Sequence, residues 1–410
     1  MIIEKYFIRS KHSIINIENT QVKSLKKKDI SKTAIRAYDG KSIGIGSAIG
    51  ACDETKLASE ARKALKKNIP YAFSPSSNRV ESFVHLPQII KEEDFVNEAH
   101  DLVSQLRKSR PDFIFSHEMC MIESEACISN NAGLDLNYKN RYFALGLLIK
   151  DKKSSNIMDA FVDFHGKTYD KKESLKEIDR VCSAFNKKMK LEKKGRQPVV
   201  FLSEDGLIYS KLISELDGIK IGTKSSLFTG LVGKKAFSEN FSFMQSCDPY
   251  TDFTCFFDAE GSVNPGYQCP LIENGVILRP YADKKTAAEY KFQSTASAVG
   301  EFDAVPRAGF PGGRLKNTVK SITELLGGKK AVLVYIASGG DFTPDGDFSS
   351  PVQLAFYFDG KDFLGRLPQI QVKSNIYDMF GKSFLGASED KLSPISPCSF
   401  VAMEMDVSEI

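Results

Sequence analysis

The segment TAIRAYDGKSIGIGSAIG (33–50) constrains the fold most, because apolar and polar residues alternate along it on both sides of Asp39-Gly40. A period of two puts every second side chain on one face of a strand, and Asp-Gly accepts the positive φ angles of a tight primed turn. The pattern predicts a β-hairpin. Gly44, Gly46 and Gly50 lie in its second strand and exit, where close backbone packing accounts for them. A helix follows, with Asp53 as its N-cap and Leu57, Ala61, Ala64 and Leu65 on one face.

Beyond a loop rich in Ser and Pro (73–78), residues 80–90 read as strand. A second helix carries Phe95, Ala99, Leu102, Val103 and Leu106 as its apolar stripe and ends at Pro111. Residues 112–164 read as a β-meander with turns at 130–133 and 150–155. A third helix near 173–192 buries Leu175, Ile178, Cys182, Phe185 and Met189. Its polar exit, KKGRQP, breaks at Pro198, so the expected division is an N-terminal α+β domain, 1–195, and a β-rich C-terminal domain, 196–410. The second half opens with a strand at 199–202 and a helix from about Asp205 to Leu216. It then turns β-rich, with a helix near 318–326 stopped by Gly327-Gly328 and a strand at 331–337. Regular strand–helix alternation and repeats of fixed period are both missing. The expected fold class is therefore α+β, with mostly antiparallel or mixed sheets and flanking helices.

At 410 residues the chain has room for two packed domains, and a net charge of +4 does not by itself ask for nucleic acid. The lysine runs at 26–28 and 187–194 are short and read as solvated surface. No apolar run approaches the ~20 residues of a membrane helix, and Glu4 and Lys5 interrupt the apolar start, so a cytoplasmic protein is expected. The eight cysteines form no C-x-x-C pair, which fits free thiols serving as small buried hydrophobes.

Several motifs fail on inspection. Gly40-Lys41-Ser42 looks like the end of a phosphate loop, but Ile35 stands where the earlier glycine belongs and a strand follows. His117-Glu118 begins like a zinc helix, but Met121 takes the second ligand's place. On a strand, moreover, residues four apart are about 13 Å apart. A nucleophilic pair of His117 and Cys120 has no visible orienting partner. The five histidines all precede residue 166, so any zinc site in 166–410 would rest on Cys, Asp and Glu alone.

The segment FDAEGSVNPGYQCPLIENGVI (257–277) resembles the F-D-x-E-G…L-I-x-x-G motif of the TldD/PmbA family, read as strand, turn, strand and a second turn at Asn274-Gly275. The stretch 338–361 is similar to that family's G-D-F/Y-S-R-G segment, with Asp347, Phe348, Ser349, Phe356 and Gly360 on its positions. Residues 128–149 are similar to its N-S-x-G turn and following strand. The likeness runs collinearly through nearly the whole chain.

The resemblance implies a PmbA- or TldE-like member. TldD-type relatives carry an H-E-x-x-x-H helix and a G-x-C-G loop for zinc. Here the matching helix reads SKLISEL, with Ser210, Lys211 and Glu215 at the degenerate metal positions, and no G-x-C-G loop follows. Ser350-Pro351 replaces the usual R-G. The implied function is a non-catalytic subunit that binds no cofactor and pairs with a TldD-like zinc-protease subunit to degrade unstructured peptides, or forms a homodimer when alone. Asp258, Glu260, Gly261, Asn274 and Asp347 are its candidate cleft-lining residues. Two alternatives stay open. One is a stand-alone hydrolase in which Asp258 and Glu260, two apart on a strand, act as an acid–base pair or hold a divalent cation. The other is a protein that binds and modulates DNA gyrase.

Overall fold

Strands β1 (Ile2–Glu18) and β2 (Gln21–Tyr38) pair along their whole length as an antiparallel hairpin. Its tight turn is made by Asn19 and Thr20, at φ 49° and 58°. This computed structural model describes residues 1–203, 206–337, 339–396 and 398–410. Strands β3 (Ser42–Ile49), β4 (Ile69–Pro70), β5 (Arg79–His85), β6 (Phe113–Asn130), β7 (Leu134–Asp151) and β8 (Ala160–Gly166) complete the first sheet. Its order is β4-β3-β2-β1-β6-β7-β5, and β8 continues along β7 beyond the end of β5. Only β5 runs parallel to its neighbour. The meander expected from the sequence is β6, β7 and β8.

The hairpin at Asp39-Gly40 is present, but its turn is not the primed one expected. Only Gly40 takes positive φ, at 93°, while the Asp39 carboxylate accepts hydrogen bonds from the amides of Lys41 and Ser42 at 2.8 and 2.7 Å. The side chain shapes the turn in place of the backbone. Helix α1 (Glu54–Ala64) is capped by Asp53 and lies directly on β3. A Cβ at Gly44 would sit 2.1 Å from the Ala61 carbonyl, and one at Gly46 2.3 Å from that of Leu57. Gly50 is different: its surroundings are open, and its φ of 83° marks a turn.

Helix α2 (Phe95–Ser109) buries all five residues of its predicted stripe. Helix α3 (Lys171–Asn186) stops short of the predicted 192. Met189 instead lies in an extended segment whose amide bonds the Arg366 carbonyl at 2.8 Å.

The second half begins with β9 (Gly195–Leu202), α4 (Gly206–Glu215) and α5 (Gly218–Gly222). The expected helix start at Asp205 lies outside the described residues. Pro198 does not break the chain as expected but sits inside β9. It is tolerated there because pairing to the neighbour on one side starts only at Val199, so the missing N–H interrupts no ladder on that side. A small sheet follows, formed by β10 (Phe243–Ser246), β11 (Gln268–Glu273) and β12 (Val276–Ile277). Then come α6 (Lys284–Tyr290), the short pair β13 (Ala298–Val299) and β14 (Arg307–Ala308), and β15 (Gly313–Leu315), which adds to β10. Helix α7 (Ile322–Leu326) starts later than predicted because Ser321 and Glu324 form a capping box there. Gly327 ends it in the left-handed region.

The remaining strands are β16 (Ala331–Ala337), β17 (Asp341–Phe342), β18 (Asp347–Phe358), β19 (Phe363–Arg366), β20 (Ile370–Asn375), β21 (Phe384–Lys391) and β22 (Ser399–Glu409), with α8 (Ile376–Met379) between β20 and β21. Pairing runs β16-β9-β22-β20-β18 and returns from β18 to β16, so five strands close a ring. Closure buries one face of these strands and packing against other elements buries the second face of β9, β16 and the first half of β22, which explains their apolar runs. Val199, Phe201, Val332, Val334, Val401 and Met403 belong to one buried cluster. The alternate residues Val200, Leu333, Phe400 and Ala402 belong to another, shared with α2, α3 and Phe115, Leu145 and Leu147 of the first sheet. The fold is α+β. Among the described residues no helix is long and apolar enough to cross a membrane.

Candidate functional site

Residues 257–262 (FDAEGS) form a tight loop, not the strand expected, and Asp258 creates it. Its Oδ1 accepts hydrogen bonds from the amides of Glu260 and Ser262 at 2.9 and 2.8 Å, and its Oδ2 accepts one from Ala298 at 3.0 Å. Gly261 takes φ 66°, and a Cβ there would lie 2.7 Å from Leu134 Cδ2, so the loop tip rests on the first sheet.

Glu260 turns the other way and is equally buried. The Tyr71 hydroxyl donates to its Oε1 at 2.7 Å, and the Lys284 amide, at the start of α6, donates to its Oε2 at 3.1 Å. The Ser76 hydroxyl donates to the Glu260 carbonyl at 2.7 Å, and Arg36 Nη1 to the Ala259 carbonyl at 2.6 Å. Arg36 is fully buried. It pairs with Glu4 at 3.4 Å and lies 4.7 Å over the Tyr6 ring. The Tyr38 hydroxyl donates to the same Glu4 oxygen at 2.9 Å. The result is one buried polar network joining β1, β2 and the 71–76 loop to the loop at 257–262.

Burial, and then the neighbouring Glu260, push the Asp258 carboxyl up to about 7 despite three amides that favour its charged form. Burial likewise raises Glu260, against the pull of Tyr71 and Lys284. The oxygens of both carboxylates are engaged by donors of the protein itself. Asp258 and Glu260 do not share a strand face, because one bonds the backbone amide of the other. This removes the geometry on which an acid–base pair was expected.

The helix carrying the degenerate metal positions is α4. Ser210 is exposed and donates to the Leu207 carbonyl at 2.9 Å. Glu215 is buried. Lys211 Nζ lies 3.0 Å from its Oε1, Lys220 Nζ lies 3.9 Å from the same oxygen, and the Leu227 amide donates to Oε2 at 2.6 Å. Burial alone would raise Glu215, but the Leu227 amide and the Lys211 ammonium outweigh it and hold the carboxyl below the usual range. A zinc ion needs at least three N, S or O ligands. At this helix the one carboxylate is already neutralised by an ammonium, and no group of three His, Cys, Asp or Glu gathers anywhere among the described residues. These side chains do not fit a zinc ion.

The other candidates bond to other residues. Asn274 and Gly275, at φ 48° and 78°, form the primed two-residue turn between β11 and β12, and Asn274 is exposed. Asp347 is also exposed and accepts a hydrogen bond from Asn375 Nδ2 at 2.9 Å. Sequence reasoning missed Glu4, Arg36, Tyr38 and Tyr71. The available signal was Arg36 itself, a charged residue on a strand flanked by apolar neighbours, which calls for a buried partner.

A sequence model described as the PmbA/TldA metallopeptidase C-terminal domain matches residues 194–408. The whole fold is shared with TldE from Thermococcus kodakarensis, at TM-score 0.79 and 18% identity, over 100% of this chain and 97% of that one. It is also shared with a protein described as a candidate modulator of DNA gyrase from Bacteroides thetaiotaomicron, at TM-score 0.77 and 15% identity, over 100% of this chain and 95% of that one. A protein of the same description from Thermotoga maritima superposes at TM-score 0.74 and 15% identity, over 99% of this chain and 96% of that one. At these identities the likeness is one of fold. By sequence, no curated protein matches the chain.

Proposed function

The chain belongs to the PmbA/TldD family of metallopeptidase-related proteins, and from that premise we propose that it is a non-catalytic, TldE-like subunit of a two-chain peptidase. One observation carries the reading. The α4 positions hold a Lys211–Glu215 ion pair in a segment, 166–410, that contains no histidine. In this reading a TldD-like partner supplies the zinc and the hydrolytic chemistry, which requires three placed ligands and an open position for water. This chain completes the substrate cavity and offers strand edges to unstructured peptides. The exposed Asn274 and Asp347 are its candidates for touching peptide. Asp258, Glu260 and Gly261 act as positioning residues that hold the two halves in register.

The test is co-purification with a TldD-like chain. We expect a heterodimer by light scattering, zinc carried by the partner, and cleavage of casein-derived peptides only when both chains are present. Alone, the chain is expected to form a homodimer without peptidase activity. A preparation of this chain alone that holds one zinc per chain and cleaves those peptides would overturn the proposal. Selective recovery of gyrase instead of a TldD-like chain would favour the gyrase-binding alternative.

A further inference from the structure

Strand β3 covers β2 only from Lys32 to Tyr38, so residues 21–30 of β2, apart from Lys23 at a β-bulge, are paired on one side by β1 and present an unpaired edge on the other. This free edge is about 33 Å long at the usual rise per residue. From Lys23 to Asp29 every residue is exposed, so both faces of the edge are open.

The charge of the edge is one-sided. Lys23, Lys26 and Lys28 have no carboxylate within ion-pairing distance among the described residues, while Lys27 reaches Glu92. The single acid, Asp29, is already held by the Arg9 guanidinium through two hydrogen bonds at 2.8 and 2.7 Å. Beside the edge lies a cleft of about 670 Å³ whose lining includes Lys11, Lys27, Lys28, Lys91, Arg141 and Glu123. Its three acids are each paired: Glu123 with Arg141 at 2.7 Å, Asp29 with Arg9, and Glu92 with Lys27.

An open edge with lysines resists pairing with its own copy. An antiparallel pairing centred on the run would set Lys26 against Lys28 and Lys27 against itself, and like charges directly opposite are destabilising. The same lysines favour a strand of opposite charge. We propose that residues 21–30 of β2 are a docking edge for an extended, carboxylate-rich segment of a partner polypeptide. That segment adds as a further strand and places its acids against Lys26 and Lys28, which share one face of β2. The site is separate from α4, and the proposal stands whether or not the chain takes part in catalysis.

Fluorescence anisotropy on the full chain tests it, using a labelled peptide of roughly ten alternating Glu and Val residues, long enough to span the edge. Three comparisons are needed: the same peptide with Lys for Glu, the Glu peptide N-methylated at alternate amides, and the double variant Lys26→Glu/Lys28→Glu. We expect saturable binding of the acidic peptide that falls at least tenfold in the variant, falls similarly on N-methylation, and weakens with salt. The basic peptide should bind only the variant. Absence of saturable binding would overturn the proposal, as would binding indifferent to N-methylation, which is attraction without strand addition. A single-stranded oligonucleotide of equal charge that binds more tightly than the peptide would overturn it in favour of phosphate recognition. The N-methylation arm uses the unaltered protein, so the result does not depend on the variant's folding.

Discussion

Asp258 is held by three amides yet titrates high, because burial and Glu260 together outweigh the amides. That imbalance has a definite sign in pH. The folded carboxyl is raised from 3.8 to about 7, so between those values the folded chain holds a proton that the unfolded chain has released. Its contribution to stability is full below about pH 3.8 and is lost as pH rises through 7. Asn at this position keeps one acceptor and never ionises. The advantage of the wild type over Asp258→Asn should therefore be largest near pH 4 and shrink by pH 8, as read from urea unfolding of both proteins. An advantage that grows with pH would sink this account. The motif containing Asp258 was legible in the sequence, but its partners were not. Arg36 reaches Ala259 across 223 residues and Tyr71 reaches Glu260 across 189, distances over which local pattern carries no signal.

At the scale of elements, legibility followed how one-sided each element is. The five-residue stripe of α2 could be read directly because its other face is solvated. The pair β1 and β2, two strands of 17 and 18 residues, could not be read. Over much of β1 neither face is uniformly apolar: Tyr6, Ile8, Ser10 and His12 alternate with Phe7, Arg9 and Lys11. Part of the sheet there carries ion pairs such as Arg9–Asp29 and Arg141–Glu123 instead of a core. The packing of α1 on β3 was legible through its glycines and gives a sharp contrast. Gly46→Ala forces a methyl group to 2.3 Å from the Leu57 carbonyl and should cost about 1–3 kcal/mol by overpacking. Gly50→Ala meets open space and bears only the strain of its positive φ, about 1–2 kcal/mol. Denaturant midpoints should separate further when each site is enlarged to Val. Gly46→Val should become markedly worse, because the obstacle is helix backbone that cannot rotate away. Equal responses at the two positions would refute the close-approach reading.

Across the whole molecule, the division expected near residue 195 meets a core that does not divide there. One buried cluster holds Phe115, Leu145 and Leu147 of the first sheet, Leu102 of α2, Phe185 of α3, and Leu333, Phe356 and Phe400 of the closed ring. Helix α3 packs against both β8 of the first sheet and β19, which pairs with β18 of the ring, so removing the second half exposes a face that the first half has no means of covering. The buried network adds to this: without the 257–262 loop, Arg36 loses the Ala259 carbonyl, and Arg36 and Glu4 lose the cover that keeps them dry. A fragment of residues 1–195 should therefore retain strand signal in far-ultraviolet dichroism, yet lose near-ultraviolet dichroism, bind ANS and melt without a sharp transition. Adding the 196–410 fragment should restore cooperativity if the two surfaces still match. A fragment 1–195 that unfolds in one sharp transition with native aromatic dichroism would show that its own layer suffices, and that the shared cluster joins two units already stable by themselves.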